Sequence, residues 1–533
     1  MARVLSPLGV ATVVLLLTGC TETVFRDREP FNPPPDELTG FLGYFTSSTQ
    51  QTTCGNCHVG HQADWKETRH ANAFATLANL PAGTAQAFCY SCHTVTEKGN
   101  VATGTAGYDA VQHEAYRDVQ CESCHGPGLE HVTLPDNNAT VPLANAFLSN
   151  PEASCASCHS GTHHPFVEEW EQSGHAVVAT GSRATNVTCT ACHEGKGALA
   201  AWGANVNYAE KAATGTAQPV ACAVCHNPHG SENTAQLRYP IDSPDPERNL
   251  CMQCHIRRAE PAGNTTSPHA AAGSVLLGSA GYRPAGFDYD TSLVYTSHAS
   301  DRNPRLCAGC HVNQYESTDQ ASGATFHSTG HLFRPIPCLD GSGKPLADNS
   351  CAYTATARTF AACTNSGCHA NGNAAASALA NSRGNIKLLT DQIWTDLDGD
   401  GAVDAAPTDG GYLATIRAAD PTAFASDNII SAAEGALFNV RLVGEGYDDH
   451  GDGSFGVHNP FLALALLRAN ITELQDTYGL SAPPAAVQRA MDEGAAQLRQ
   501  QARIATLVTR QVGSDRAPVR QHSGISRAAG GRE

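Results

Sequence analysis

The stretch Cys121-Glu-Ser-Cys124-His125-Gly-Pro-Gly128 contains the five-residue pattern Cys-x-x-Cys-His, around which most of this chain is organised. The pattern occurs eight times, and a stretched ninth copy, Cys363-Thr-Asn-Ser-Gly-Cys368-His369, follows the last of them. The chain has 21 Cys and 24 His in 533 residues, so chance placement predicts only ~0.04 copies of the pattern. The repetition therefore points to one chemistry carried out at many places in the chain.

Each fixed residue of the pattern has a role in attaching a c-type haem. Two thiols in one turn add across the two vinyl groups of the porphyrin, and the adjacent imidazole binds the iron. Structural zinc knuckles and thioredoxin-like sites also contain Cys-x-x-Cys, but neither explains a His after every second Cys. The predicted attachment cysteines are Cys54, Cys57, Cys89, Cys92, Cys121, Cys124, Cys155, Cys158, Cys189, Cys192, Cys222, Cys225, Cys251, Cys254, Cys307 and Cys310. The predicted proximal ligands are His58, His93, His125, His159, His193, His226, His255 and His311.

The ninth site has four residues rather than two between Cys363 and Cys368. A longer loop can still reach both vinyl carbons, and His369 follows as the pattern demands, so we predict a ninth haem here. The alternative is that these two cysteines form two disulfides with Cys338 and Cys351, which an oxidising compartment would allow. If the ninth haem is attached, Cys338 and Cys351 are expected to form a disulfide with each other.

The amino terminus resembles a bacterial lipoprotein signal. Arg3 precedes an apolar run that ends in Leu17-Thr18-Gly19-Cys20. Cleavage before Cys20 would leave a lipidated terminus, so we predict an exported protein that is anchored to the outer membrane without spanning it. An ordinary signal peptide is the alternative. Export agrees with the haem interpretation, because c-type attachment takes place outside the bacterial inner membrane.

Composition predicts an interior with few apolar side chains. The chain is 41% hydrophobic but only 6% aromatic, and Gly, Pro, Thr and Asn interrupt most helical runs before residue 370. We therefore expect a mainly α fold with extensive loops and little β structure, packed on about nine haems and largely disordered without them. The first seven sites begin 29 to 35 residues apart, which indicates either a duplication or the shortest segment that can wrap one haem.

The spare histidines supply candidates for the second iron ligand. Four share a local setting, namely Thr68-Arg69-His70, Ser173-Gly174-His175, Thr296-Ser297-His298 and Thr329-Gly330-His331, and the first two of these extend to Trp-x-x-[Ser/Thr]-x-His-Ala, starting at Trp65 and Trp170. An aromatic ring and a His at this spacing lie within about a turn and a half of helix, so that the ring could pack on a porphyrin while the imidazole reaches iron. The predicted distal ligands are His70, His113, His131, His164, His175, His229, His298, His331 and His458. Among these, His113, His131 and His164 are interchangeable with His61, His163, His269 and His327.

After the ninth site the pattern changes to longer helices. Ile386, Leu389 and Ile393 mark one apolar face, Pro460 sets the first turn of a second helix, and another amphipathic helix runs from residue 484 to 510. The segment Asp396-Leu-Asp398-Gly-Asp400-Gly401-Ala-Val403-Asp404 resembles a calcium-binding loop, and Asp409 could complete its ligand shell. Because Pro407 stands where the loop needs a bidentate acid, a solvated Asp/Gly turn is the alternative.

The chain resembles the multihaem c-type cytochrome lipoproteins of metal-respiring bacteria. The resemblance rests on the eight-residue stretch from Cys121, on the two Trp-x-x-[Ser/Thr]-x-His-Ala elements, and on Gly456-Val-His458-Asn-Pro460. It extends to the group that holds hydroxylamine oxidoreductase and octahaem tetrathionate reductase. It implies electron transfer through bis-His haems in anaerobic or extracellular respiration. The alternative is a terminal reductase for a small nitrogen or sulfur compound or a metal, with one haem lacking its second protein ligand.

Net charge, expected partners and domain organisation complete the predictions. The net charge of −18 favours cationic redox proteins as partners and argues against nucleic acid. We expect other cytochromes, the membrane through Cys20, and an outer-membrane porin-cytochrome complex as partners. The predicted organisation is a signal peptide at 1–19, a linker at 20–53, a haem domain with seven sites at 54–270, sites eight and nine at 271–380, a helical C-terminal region at 381–510, and a disordered tail at 511–533.

Overall fold

The computed structural model describes residues 31–81, 85–161, 163–204, 206–213, 215–263, 265–319, 321–365, 368–444 and 451–511. The predicted signal peptide, Cys20 and residues 512–533 of the predicted tail lie outside the described residues. Among the described residues, no helix is both long enough and apolar enough to cross a membrane.

Short helices and long connections make up the first 370 residues. The α-helices there are Val59–Lys66, Ala73–Ala78, Ala87–His93, Tyr108–Val111, Cys121–His125, Leu129–Thr133, Phe166–Glu171, Ser182–Thr185, Val187–His193, Gly195–Ala201, Cys222–Cys225, Ala272–Leu276, Cys307–His311 and Ala361–Thr364. The longer helices follow and are Gly372–Ile393, Gly411–Ala419, Ala432–Val443, Pro460–Tyr478 and Ala485–Gln511.

The remaining regular structure consists of single turns and three small antiparallel pairs of strands. The 3₁₀ turns are Ser47–Thr49, Cys54–Asn56, His70–Asn72, Glu114–Tyr116, Asn138–Thr140, Pro151–Ala153, Cys155–Ser157, Gly174–Ala176, Ala209–Ala212, Thr234–Gln236, Cys251–Gln253, Thr291–Thr296 and Pro421–Phe424. The strand pairs are Tyr44–Thr46 with Gln51–Thr52, Glu316–Thr318 with Thr325–His327, and Thr395–Asp396 with Asp409–Gly410. The prediction of a mainly α fold with extensive loops and little β structure is confirmed.

Each Cys-x-x-Cys-His pattern forms a compact turn. The backbone N–H of the His donates to the carbonyl of the first Cys, as His58 does to Cys54 over 2.9 Å. This is the hydrogen bond of one helical turn, and it brings the two thiols, three residues apart, onto the same face. At the stretched ninth site the N–H of His369 donates to the carbonyl of Cys363 over 3.2 Å, so the longer loop closes with the same contact.

The long helices after residue 371 enclose the largest apolar core. It contains 29 buried residues, most of them on the helices Gly372–Ile393, Ala432–Val443 and Pro460–Tyr478. Ile386, Leu389 and Ile393 are 2%, 0% and 0% exposed, which confirms the predicted apolar face. Pro460 occupies the first turn of its helix, and the Asn459 side chain caps it by accepting from the N–H of Leu462. Residues of the helix Ala272–Leu276 also pack into this core.

The described residues before residue 371 form only small apolar clusters. The largest is built around Phe147, Trp170 and Leu199 and contains seven buried residues, and three others contain four each. Side chains alone therefore provide little continuous interior there, as composition predicted.

Candidate functional site

The eighteen cysteines of the nine motifs are free thiols, whereas Cys338 and Cys351 form a disulfide. The predicted disulfide is confirmed. Since those two cysteines pair with each other, they are not available to Cys363 and Cys368, which lie in electrostatic contact with Cys310 of the eighth site.

Seven proximal histidines each face a second imidazole from elsewhere in the chain. The ring centres lie 5.8–6.5 Å apart. Two imidazoles bound to opposite sides of one metal ion through bonds of about 2 Å place their ring centres about 6 Å apart. The pairs, proximal residue first, are His125 with His229, His159 with His70, His193 with His269, His226 with His331, His255 with His175, His311 with His458, and His369 with His298.

The first and second sites have candidate partners at less well-defined positions. The ring centre of His58 lies 6.4 Å from that of His61, which is only three residues further along the chain, and His58 is also in electrostatic contact with His131. His164 is in electrostatic contact with His93, and its ring centre also lies 6.4 Å from that of His159.

The hydrogen bonds of the imidazoles leave the correct nitrogen available for a metal. The Nδ1–H groups of His93, His125 and His226 donate to backbone carbonyls over 2.8, 2.8 and 2.7 Å. The carbonyls belong to Ala73, Pro142 and Ala235, and a carbonyl can only accept. Nδ1 therefore carries the proton, which leaves the Nε2 lone pair free to bind iron.

Burial also favours the metal-binding form of these histidines. It lowers the pKa of His159, His175 and His255 to about 4. The three imidazoles are consequently neutral at pH 7, and neutral imidazole is the form that binds a metal.

Two spare histidines, one from the predicted distal ligands and one from the interchangeable candidates, have exchanged places in the structure. His113 caps the turn Glu114–Tyr116, where its Nδ1 accepts from the backbone N–H of Ala115 over 3.2 Å. His269, which the sequence left among the interchangeable candidates, lies opposite His193. Sequence spacing could not separate the two, because His113 is close to an attachment site along the chain while His269 approaches its partner only through the fold.

The three other interchangeable candidates lie outside the seven pairs. The ring centre of His61 lies 4.3 Å from that of His229 with the rings tilted by 33°, and His163 is exposed. The exposed His327 lies 3.0 Å from the carboxylate of Glu316.

The two tryptophan elements are anchored in the same way. The indole N–H of Trp65 donates to the carbonyl of Val119 over 2.9 Å, and the N–H of Val119 donates to the carbonyl of His70. About 100 residues later, the indole of Trp170 donates to Val220 over 3.0 Å, and the N–H of Val220 donates to the carbonyl of His175. In both places the anchoring valine lies two residues before an attachment cysteine. Each indole thus fixes a histidine-bearing turn against the following motif.

These repeated contacts define a unit that contains three motifs. We call residues 54–154 the first unit and residues 155–250 the second unit. A backbone hydrogen bond within the first unit recurs in the second unit. The N–H of Val95 donates to the carbonyl of Tyr116, and the N–H of Gly195 donates to the carbonyl of Gln218, both over 2.8 Å. The repeat in the structure is therefore three sites long, which favours duplication over the packing of single sites.

The two units exchange histidines with their neighbours. His70 of the first unit faces His159 of the second, while His229 of the second faces His125 of the first. The second unit stands in the same relation to residues 251–369, through the pairs of His175 with His255 and of His331 with His226. Each boundary between units is thus crossed by two imidazole pairs in opposite directions, and the second boundary is also crossed by the pair of His193 with His269.

Contacts between thiols connect different motifs. In five pairs a neighbouring thiol is the largest influence on the pKa of a cysteine, namely Cys54 with Cys121, Cys92 with Cys158, Cys155 with Cys222, Cys192 with Cys254, and Cys251 with Cys307. Three electrostatic contacts add Cys124 with Cys155, Cys225 with Cys251, and Cys310 with Cys368. All nine motifs are joined by these contacts into one network.

A buried carboxylate holds the third motif against the amino-terminal segment. Glu122 accepts from the backbone N–H groups of Leu42, Gly43 and Gly128 over 2.9, 2.7 and 2.8 Å. Burial raises the pKa of Glu122 to about 7, against the opposing effect of these three donors. Its charge consequently changes near neutral pH.

The acidic loop brings its carboxylates together. Oxygens of Asp396, Asp398 and Asp409 lie within 4.8 Å of one another, as do those of Asp398, Asp400 and Asp404. Asp409 is 2% exposed and already accepts from the indole of Trp394 and the N–H of Asp404, both over 2.8 Å. The loop is therefore folded around Asp409 by hydrogen bonds.

Comparison with known families identifies two short matches. The family described as doubled CXXCH motif matches residues 215–260, and the family described as cytochrome c554 and c-prime matches residues 53–126. The second match spans the first three motifs. Both matched segments consist of attachment motifs and their connections, so they agree with the donor set seen in the structure.

Curated relatives are similar over about half of the chain. The C-type polyheme cytochrome OmcB of Geobacter sulfurreducens is 25% identical over 316 residues, which cover 52% of this chain and 39% of OmcB. The multiheme cytochrome MtrA of Shewanella baltica is 28% identical over 259 residues, which cover 45% of this chain and 69% of MtrA. The first of these matches thus spans well under two thirds of its relative. No solved structure matches the chain.

Proposed function

Because this chain is a multihaem c-type cytochrome, we propose that it carries electrons along nine covalently attached haems, each held between two histidines. The bound haems supply reversible one-electron chemistry at iron. The observation that carries the proposal is the set of seven imidazole pairs at 5.8–6.5 Å, each combining one motif histidine with one spare histidine. Two protein ligands on each iron favour electron transfer over substrate binding.

The pairs assign the second ligands of sites three to nine, and the contacts of His131 with His58 and of His164 with His93 support the assignments at sites one and two. Cys363, Cys368 and His369 attach the ninth haem, and the other eight motifs attach one haem each. The proposed second ligands for sites one to nine, in order, are His131, His164, His229, His70, His269, His331, His175, His458 and His298. His113 has no role as a ligand in this proposal.

We infer the electron path from the thiol contacts. Two thiols in contact would carry thioether bonds to two different porphyrins, whose edges would then be adjacent. The contacts give the order one, three, four, six, seven, eight and nine, while site two branches from site four and site five branches from site seven. Sites two and five occupy equivalent positions in the first and second units, so the branching follows the repeat.

The export signal supports a location outside the inner membrane. In this proposal Cys20 is lipidated and anchors the protein to the outer membrane, where it exchanges electrons with other cytochromes or redox proteins, including a porin-cytochrome complex, during anaerobic or extracellular respiration. The similarity to the polyheme cytochrome OmcB and the multiheme cytochrome MtrA supports the role in electron exchange.

Spectroscopy of the purified protein tests the proposal. We expect nine haems per chain by haem assay and intact mass, and only low-spin ferric haem by electron paramagnetic resonance. His269→Ala should convert one haem to the high-spin form, whereas the matched variant His113→Ala should leave the spectrum unchanged. A stoichiometric high-spin signal in the wild type that shifts with nitrite, hydroxylamine or tetrathionate would favour the terminal reductase instead.

For the acidic loop we propose calcium binding through Asp396, Asp398 and Asp400. Clustered carboxylate oxygens are the ligands that calcium prefers, and the approach of Asp396 and Asp398 to Asp409, and of Asp398 and Asp400 to Asp404, within 4.8 Å supports the assignment. Metal analysis after dialysis should find one calcium ion per chain in the wild type and none in Asp398→Asn, and its absence from both would leave the solvated turn.

A further inference from the structure

Two of the proposed distal histidines have a buried carboxylate behind them, in one case beside a carbonyl, since the carbonyl of Thr329 also lies 3.3 Å from Nδ1 of His331. The Nδ1–H groups of His298 and His311 donate to the backbone carbonyls of Val457 and Phe333. In contrast, His458 approaches the carboxylate of Asp452, and His331 reaches Glu169 through the hydroxyl of Thr329. The difference matters because a carboxylate places a full negative charge where a carbonyl places a dipole.

Glu169 holds the turn that carries His331. It is 3% exposed and lies 160 residues earlier in the chain than Thr329. Its carboxylate accepts from the N–H of Thr329, from the hydroxyl of Thr329 and from the N–H of His331, over 2.8, 2.7 and 2.8 Å. The hydroxyl donates to Glu169, so its oxygen is left to accept from Nδ1 of His331, 3.2 Å away. The contacts form a relay from imidazole to hydroxyl to carboxylate.

Asp452 holds His458 by a shorter route. Its side chain is 1% exposed, and one carboxylate oxygen lies 3.4 Å from Nδ1 of His458. The same carboxylate accepts from the N–H and the hydroxyl of Ser454 over 2.9 and 2.8 Å, and that hydroxyl accepts from the N–H of His458 over 3.1 Å. The loop therefore fixes the carboxylate and the imidazole together.

We propose that Glu169 and Asp452 are positioning residues that lower the reduction potentials of the sixth and eighth haems. An imidazole that donates its N–H toward a carboxylate becomes a stronger electron donor to the metal. A buried negative charge nearby also stabilises ferric iron more than ferrous iron, because ferric iron carries the greater positive charge. Both effects favour the oxidised state. The inference rests on the proposed function, since it requires that His331 and His458 bind iron.

Redox titration of the full-length holoprotein tests the inference, with absorbance as the readout and dithionite as the reductant. In Glu169→Gln we expect the reduction equilibrium constant of one haem to rise about tenfold, which is about 59 mV for a one-electron couple. Glu171→Gln removes an exposed carboxylate from the same helix and should leave the titration unchanged. Asp452→Asn should raise the potential of a different haem.

Thr329→Val separates the effect of the relay through the hydroxyl from the effect of the backbone hydrogen bonds to Glu169. It removes the hydroxyl but keeps Glu169 and both backbone donors, so the same haem as in Glu169→Gln should shift in the same direction by a smaller amount. If Glu169→Gln lowers the haem content, the redox titrations of Thr329→Val and Asp452→Asn test the inference instead. Appearance of one high-spin haem in Glu169→Gln at full haem content also supports the inference, because the iron bond then depends on Glu169.

Titrations of all three variants that superimpose on the wild type, with every haem still low-spin, would overturn the inference while leaving the proposed function intact. A wild-type protein that lacks low-spin haem would instead contradict the proposed function itself.

Discussion

The haem-site region, residues 54–369, and the C-terminal region, residues 372–511, fill their interiors in different ways. The C-terminal region packs long helices around a core of 29 buried residues, to which the helix Ala272–Leu276 also contributes. The haem-site region has short helices and clusters of four to seven buried residues. A chain in which attached porphyrins provide apolar surface does not need many large side chains of its own. The contrast shows how one polypeptide can combine two kinds of interior.

One of the loops at which the two regions meet serves both of them. His458 faces His311 of the eighth motif, and the carbonyl of its neighbour Val457 accepts from Nδ1 of His298. The next residue, Asn459, caps the helix Pro460–Tyr478 and donates to the hydroxyl of Tyr289 over 2.9 Å. The conventional core thus orients imidazoles at the last two sites.

Removal of the haems should produce the largest difference between the regions. In protein made in cells that lack the haem-attachment machinery, we expect residues 54–369 to lose most of their protected amides, because their side chains form no continuous core. Residues 372–511 should keep the protection of their long helices. Hydrogen exchange followed by mass spectrometry measures both, and equal loss of protection in the two regions would contradict the comparison.

Truncation inside the C-terminal core should have a smaller, local effect. Leu467 is fully buried, and Leu467→Ala should lower the free energy of unfolding of that region by about 2–5 kcal/mol through lost burial and a residual cavity. Chemical denaturation followed by circular dichroism measures the loss. Leu397→Ala, at a 63% exposed position, is the matched control and should change little. A loss at Leu467 no larger than at Leu397 would mean that the core is not what stabilises the region.

In the haem-site region, pH should act through Glu122. Its pKa is raised from 4.5 to about 7, so the folded state binds this proton more tightly than the unfolded state does. The contribution of Glu122 to the free energy of unfolding is therefore largest below about pH 4.5. It decreases as the pH rises to about 7, by about 3 kcal/mol in all. The melting temperature should fall across this range in the wild type and in the exposed control Glu114→Gln, and fall less in Glu122→Gln. Equal slopes in all three proteins would exclude Glu122 as the cause.

The smallest effect is expected at the surface of the C-terminal region. Lys387 and Asp391 form an ion pair one helical turn apart over 2.9 Å, with 59% and 43% of their side chains exposed. Such pairs contribute about 0.3–0.5 kcal/mol. Lys387→Ala should therefore leave the denaturation midpoint nearly unchanged, and a loss comparable to that of Leu467→Ala would show that the helix surface matters more than its core.

The sequence predicted the local features of both regions. The disulfide between Cys338 and Cys351, the apolar face through Leu389 and the last helix were all visible, because each depends on residues close together in the chain. The attachment motifs are local for the same reason, since one turn closes each of them.

The sequence could not predict which imidazoles face each other. His70 lies 89 residues before the motif histidine that it faces, and His458 lies 147 residues after His311. All these side chains are chemically identical, so spacing cannot rank one against another, and the choice between His113 and His269 depends on how the chain folds. The buried carboxylates Glu169 and Asp452 belong to no motif, because their partners are mostly backbone groups that every residue carries.

The exchange of histidines between neighbouring units limits how such a chain can change its length during evolution. A cut at a unit boundary separates at least two imidazole pairs at once, so adding or losing a unit there as an independent block would leave at least four rings unmatched. If about 100 residues, one full period, were lost between equivalent positions of two neighbouring units, the start of one unit would be joined to the end of the next. The imidazole pairs across the junction would then be kept. We therefore expect shorter and longer cytochromes built on this plan to differ by three haems at a time.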